Sequence, residues 1–326
     1  MNTVLVTGAT GFLGSSISAE LLKRGLKVRA LHRSGSNTLL LEGLGVEHSI
    51  GDTRDLASLR RAARGCDTVF HTAAIVSFWK KRYTEQMDVN VGGTVNVVRA
   101  SLEAGVRKLV HTSSVAALGY RADGAPIDEA TDYNWGTRNG YRYSKHLSEL
   151  EVIKGVREGL DATILNPSVI IGPGDLFFHG GRVLREISRG RLPVYIGGGT
   201  NYVSIHDVVK GHLAAAEGGR TGERYILGGD NLTHKQVFEI AARVTGGRAP
   251  LLKVPVWTAR AAARAMDIIA DLTSTEPPVS PDLLSGAGRY NWYSVEKARH
   301  ELAYEPSPVE DAMKEAYRWY VSNGLL

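Results

Sequence analysis

Thr7-Gly8-Ala9-Thr10-Gly11-Phe12-Leu13-Gly14 is the stretch on which the fold of this chain turns. A short β-branched run, Thr3–Thr7, leads into it, and an amphipathic run, Phe12–Arg24, leaves it. Each glycine has a physical use there. Gly8 permits a tight turn, Gly11 lets the backbone come close to a pyrophosphate, and Gly14 lets the helix pack against the strand. The helix start then offers free N–H groups and a positive partial charge to phosphates, with Thr10, Phe12 and Leu13 completing the cradle. A tight strand-to-helix turn with no ligand is the plainer reading. The position between an N-terminal strand and a helix favours the nucleotide cradle.

Outward from this motif, strand-like and helix-like runs alternate. Strands are expected at Lys27–Leu31, Glu47–Ile50, Thr68–His71, Lys108–Thr112 and Asp161–Leu165. Helices are expected at Leu56–Ala63, Thr84–Ala104 and Tyr141–Arg157, with Gly25, Gly65, Gly105 and Gly159 at helix ends. Strands that are apolar nearly throughout and separated by helices imply a parallel sheet covered on both faces. The fold class is therefore α/β, a doubly wound parallel (Rossmann) sheet. After Pro167 the alternation loosens. Further strands are expected at Asn201–Ile205 and Glu223–Leu227, around a helix at Asp207–Ala216. Helices follow at Thr233–Thr245, Pro255–Ala270, Ser294–Leu302 and Pro308–Ser322. The expected division is a nucleotide-binding domain over 1–168, with 201–228 returning to its sheet. A smaller, mostly helical substrate lobe takes 169–326, mainly 169–200 and 229–326.

The end of the second strand selects the nucleotide. An acidic residue there would hold a ribose 2′-hydroxyl. The sequence instead reads Leu31-His32-Arg33-Ser34-Gly35-Ser36. Arg33 can pair with a 2′-phosphate, so NADP(H) is favoured, with NAD(H) the alternative. Asp52, beside Thr53, either accepts from the adenine amino group or caps the helix that starts near Leu56.

Tyr141-Arg142-Tyr143-Ser144-Lys145 supplies a second signal. Residues four apart share a helix face, so Tyr141 and Lys145 point the same way. An ammonium beside a phenol lowers its pKa and tunes it for acid/base work. The fifth strand ends in Thr112-Ser113-Ser114, at the end of the sheet where ligands bind in such folds. Ser114 can hold a substrate oxygen there, whereas Ser113 reads better as a hydroxyl satisfied by backbone. No cluster of His, Cys, Asp and Glu has metal-ligand spacing.

These motifs, with His71-Thr72-Ala73-Ala74, Asn90-Val91-Gly92-Gly93-Thr94 and Asn166-Pro167-Ser168-Val169, resemble the extended short-chain dehydrogenase/reductase family over the first ~175 residues. Within it the sequence is most similar to the dihydroflavonol-reductase-like branch and to hopanoid-associated sugar epimerases. The resemblance implies that Tyr141 is the general acid or base, that Lys145 holds the nicotinamide ribose, and that Ser114 bonds the reacting oxygen. It places Ala73, Ala74, Pro167 and Val169 along the cofactor. Asn90 orders the site or merely packs its helix, and His71 reads equally well as a structural residue. Phe78, Trp79, Tyr133, Asn166 and Phe177 are the candidate substrate pocket, with Trp135, Phe178 and Tyr195 nearby or packing the lobe. Such a lining suits a fairly apolar or aromatic carbonyl compound. Reduction of a ketone or aldehyde is the leading expectation. Nucleotide-sugar epimerisation or dehydration is the second, with Arg182, Arg185 and Arg289 as candidate diphosphate cations. A non-catalytic NADP-binding sensor is the third, although the tyrosine and lysine such proteins typically lose are both present.

Composition sets outer limits. The chain has 326 residues, 43% hydrophobic and 22% charged, as expected of a globular protein. Its net charge of +5 comes from scattered residues, so no nucleic-acid surface is expected. Cys66 stands alone, which excludes an intrachain disulfide and fits a reducing compartment. With no recognisable leader the expected location is cytoplasmic. Val254–Leu272 is apolar but interrupted by charges, so it packs on the protein or rests on a membrane surface rather than crossing one. A homodimer through the Thr84–Ala104 and Tyr141–Arg157 helices is what the resemblance implies.

Overall fold

The computed structural model describes residues 2–326. Seven parallel strands form the central sheet: β1 (Thr3–Thr7), β2 (Lys27–His32), β3 (Glu47–Ile50), β4 (Thr68–His71), β5 (Lys108–Thr112), β6 (Ala162–Pro167) and β7 (Arg224–Leu227). Their spatial order is β7-β6-β5-β4-β1-β2-β3. The order reverses between β1 and β4, which opens a crevice at the carboxyl ends of those two strands. Strands β1, β4, β5 and β6 are buried almost residue for residue, the pattern of a sheet covered on both faces.

Two apolar layers do the covering. On one face α1 (Phe12–Lys23) packs with Val4, Val6, Phe70 and Leu165. On the other, α2 (Leu56–Ala63), α3 (Gly93–Glu103) and α4 (Gly140–Arg157) pack with Leu5, Val69, Leu109 and Ile164. The expected helix over 84–104 begins at Tyr83 and is not uniform. A turn of α-helix, Tyr83–Gln86, passes through a π-helical stretch, Met87–Gly92, before α3. Such π-turns are rare and often sit at functional sites.

The second lobe carries more strand than expected. Val169–Ile171, Gly199–Ser204 and Asp230–Thr233 make a three-stranded sheet, and Val194–Ile196 pairs with Leu252–Val254. The return of 201–228 to the main sheet is therefore divided. The segment Gly199–Ser204 stays in the lobe, while the helix α6 (Ile205–Gly218) and β7 rejoin the main body. The extended Gly-Thr-Asn-Tyr segment finds its ladder partners in Asp230–Thr233, not in β6. Helices α5 (Arg182–Ser188), α7 (His234–Thr245), α8 (Val256–Thr273), α9 (Glu296–Leu302) and α10 (Val309–Ser322) complete the molecule. The lobe's own core gathers Ile171, Leu184, Val237, Met313 and Tyr320. No helix among the described residues is long and apolar enough to cross a membrane.

Candidate active site

A groove of about 520 Å³ follows the crevice. Of the expected cofactor residues, Gly8, Thr10, Gly11, Phe12, Arg33, Asp52, Thr53, Ala73 and Ala74 line it. Leu13, Gly14, Tyr141, Lys145, Pro167 and Val169 lie outside that lining. Gly14 contributes beneath it: a Cβ there would sit 2.3 Å from the Gly8 carbonyl oxygen. Gly8 has φ +70°, and its own Cβ would stand 2.7 Å from the Ala73 backbone. The turn exists in this shape because both positions lack side chains. The groove and cradle fit an extended dinucleotide with its phosphates at the start of α1.

Arg33 is exposed at the groove edge, near Ser36 and Asn37. Two carboxylates also line the groove, and both are already paired. Asp52 holds Arg54 at 2.7 Å, which keeps its carboxyl below the usual range, and Glu85 holds Arg82 at 2.8 Å. The capping alternative for Asp52 fails, because Asp55 caps α2 through the Ala57 N–H. Phe177 departs from expectation. It is 73% exposed and lines this groove, in a loop closed by Asp175, which accepts from the His179, Gly180 and Gly181 N–H groups.

Tyr141 and Lys145 share the buried face of α4. Asn139 caps that helix by accepting from the Arg142 N–H, and its amide donates to the Asp282 carbonyl of the lobe. Burial pushes the Tyr141 phenol above its ordinary range, opposed by the neighbouring Ser114 hydroxyl and by Arg142. Lys145 lies one helical turn on from Tyr141, on the same buried face. Its ammonium donates to the Thr112 carbonyl at 2.9 Å, and burial lowers its own pKa to about 8. The Phe78 ring meets the Tyr141 ring edge-on at 5.4 Å. Ser114 is extended at the end of β5, where its hydroxyl accepts from the Ala116 N–H.

Asn90, on the π-turn, orders this arrangement directly. Its amide bonds both backbone groups of Ile75 and donates to the Ser144 hydroxyl, tying the loop after β4 to α4. His71 is structural: it is held between Thr7 and Thr94, and burial lowers its pKa to about 3.

Several expected pocket residues lie elsewhere. Asn166 is fully buried and donates to the Ser114 carbonyl and to Glu149. Tyr133 donates to the Gly136 carbonyl and stacks on His146 at 4.5 Å, on the opposite face of α4 from Tyr141. Phe178 stacks on Tyr320, Tyr195 meets Phe238, and Trp135 lies under Arg142, all as packing contacts. Phe78 is the pocket candidate brought against Tyr141, with Trp79 next to it in the chain.

One element escaped the sequence reading. Glu149 is fully buried behind the site. It accepts from Ser113 and Asn166, and Arg224 of β7 lies 2.9 Å from it. Ser113 is thus satisfied by a carboxylate, not by backbone. The signal was present, since Glu149 follows Lys145 by four residues on the same helix face.

With this geometry in hand, comparison with known proteins is decisive at the family level. Residues 4–228 match the model of the NAD dependent epimerase/dehydratase family. The chain belongs to that family. A Methylococcus capsulatus protein named sterol demethylase protein B is 35% identical over 99% of this chain and 100% of its own length. A Synechocystis protein carrying a dihydroflavonol 4-reductase name is 33% identical over 98% of this chain and 95% of its own. A crystal structure described as a nucleoside-diphosphate-sugar epimerase from Pseudomonas aeruginosa superimposes with a TM-score of 0.82 at 27% identity, covering 100% and 99% of the two chains. The protein is accordingly an NAD(P)-dependent enzyme of the extended short-chain dehydrogenase/reductase type, with the reductase-like relatives that its motifs implied.

Proposed function

We propose that this protein is an NADP(H)-dependent reductase of an apolar or aromatic ketone or aldehyde. The observation that carries the reading is the state of Tyr141, a buried phenol kept protonated beside the Ser114 hydroxyl and under the Phe78 ring. A protonated phenol beside a hydroxyl holds the proton that a carbonyl must take up as it becomes an alcohol. Ser114 and Tyr141 hold the carbonyl oxygen through hydrogen bonds that strengthen as negative charge develops on it. The Lys145 ammonium, one strand-end away at the Thr112 carbonyl, adds positive charge to the same region. The bound nicotinamide supplies the hydride.

Arg33 supports NADP(H) as the favoured form. It is the cation available at the end of β2, and neither groove carboxylate is unpaired. The names of the relatives agree with an apolar substrate, one being a sterol demethylase protein and another a dihydroflavonol reductase. The family's sugar-epimerising members supply the competing reading. Against it, the candidate diphosphate cations are engaged separately: Arg182 on the Pro278 carbonyl, Arg185 over Phe178 and Arg289 over Tyr120.

The test is NADPH oxidation with a panel of apolar aldehydes and ketones, using NADH and Tyr141→Phe as controls. Steady consumption that Tyr141→Phe lowers by at least roughly a hundredfold is expected. Silence across the panel, from protein that binds NADPH, would sink the reductase reading and direct attention to nucleotide sugars.

A further inference from the structure

Helix α8 presents an apolar stripe to the outside. Trp257 is 70% exposed and Leu272 is 82% exposed, and Ile268 and Ile269 are open as well. At 3.6 residues per turn, Trp257, Ile268, Ala261, Leu272 and Ala265 fall within an arc of about 80°, which Ile269 widens to about 120°. All of them are exposed. The helix is held to the protein by the opposite face, through Ala263 and Ala270. Leu251, 89% exposed, and Leu252 extend the apolar surface just before the helix.

The edge of the stripe is charged. Arg260 and Arg264 flank it, are exposed, and have no carboxylate partner among the described residues. Asp267 and Asp271 lie on the same flank but are neutralised by Lys80 and Lys81. Lys253, exposed between Leu252 and α8, adds another cation.

We infer that α8 docks this enzyme on an anionic lipid surface. The stripe inserts among the acyl chains near the headgroups, and Arg260, Arg264 and Lys253 pair with lipid phosphates. An apolar arc of this width with arginines at its edge matches the requirements of an interfacial helix. A second copy of this chain would meet arginine with arginine if the same faces met symmetrically, whereas a phosphate surface is complementary. Because Lys80 and Lys81 of the loop carrying Phe78 are paired to α8, docking puts the proposed substrate entrance next to the lipid.

Flotation with vesicles tests this independently of activity. Purified protein is mixed with phosphatidylcholine vesicles, with and without about one-third phosphatidylglycerol. Binding to the anionic vesicles is expected, weakened by high salt. The triple variant Trp257→Ser/Ile268→Ser/Leu272→Ser changes only exposed side chains and should lower the partition coefficient roughly a hundredfold. Arg260→Glu/Arg264→Glu should remove the preference for the anionic lipid. NADPH binding, followed by fluorescence, should be unchanged in both variants and confirms that they fold. The inference is overturned if neither vesicle binds, or if the triple variant floats as well as the parent. It is equally overturned if light scattering shows a dimer that the triple variant abolishes.

Discussion

Acidification should destabilise this protein steeply between pH 7 and pH 5, because of three histidines behind the active site. His71, His111 and His212 are each 1% exposed or less. Burial lowers His71 to about 3 and His212 to about 4, and holds His111 well below the usual range. Each stays neutral in the fold, held by hydroxyl or carbonyl partners: Thr7 and Thr94 on His71, Ser148 on His111, Thr112 and the Val208 carbonyl on His212. The unfolded chain takes up these protons near pH 6.5, so a folded pKa below that value means stability is lost as pH falls. Between pH 7 and 5 the loss is about 2 kcal/mol per histidine, or about 6 kcal/mol for the three. That is comparable to the whole stability of an ordinary domain. Glu149, raised by burial, works in the opposite direction as it protonates. Lys145 contributes nothing in this window, because its folded value of about 8 already lies above it. Urea denaturation at pH 7, 6 and 5 reads the effect directly. His212→Asn should lower stability at pH 7 but shrink the pH-dependent loss by about one-third. A denaturation midpoint that is flat from pH 7 to 5, or a variant that keeps the full loss, would refute the reasoning.

Gly14→Ala forces a Cβ against the Gly8 carbonyl at 2.3 Å, so NADPH affinity should fall at least about tenfold, with about 2 kcal/mol of stability lost, as seen by fluorescence titration and urea melts. Arg33→Ala should weaken NADPH roughly tenfold and leave NADH unchanged, measured as a ratio of KM values. Glu149→Ala strands Ser113, Asn166 and Arg224 and should cost about 3 kcal/mol, with Glu149→Gln costing less, by urea denaturation. If the proposed reductase activity is found, its rate should decline as pH rises through about 8, where Lys145 loses its charge, and a flat profile to pH 9.5 would remove Lys145 from the chemistry.

The sequence carried the crevice well because its signals are local. A glycine triplet between strand and helix, and a tyrosine four residues before a lysine, specify turn and face with no distant information. The pocket residues were read less well. Tyr133 and Asn166 are near the site in sequence order, but the loop carrying Tyr133 can pack on either face of α4, and a strand has two sides. Which side is taken depends on partners such as His146 and Glu149. The π-turn at Met87–Gly92 had no periodic signature that distinguishes it from the helices on either side. The lobe strand Gly199–Ser204 was found by its residues, yet its partner across the sheet is a tertiary choice.

The connection between the Phe78 loop and the lobe has a kinetic consequence. Lys80 reaches Asp267 and Asp271, Ser77 donates to Glu276 at 2.5 Å, and Ser280 donates to the Phe78 carbonyl at 2.6 Å. These links join parts of the chain nearly two hundred residues apart, and the lysine pairs among them are exposed and individually weak. The cradle beneath rests on backbone turns and a buried sheet. The upper wall can therefore lift while the cradle keeps its shape. If the protein is the reductase proposed above, this arrangement predicts ordered kinetics, with the dinucleotide binding before the carbonyl compound and leaving after the alcohol, and product-inhibition patterns check that order.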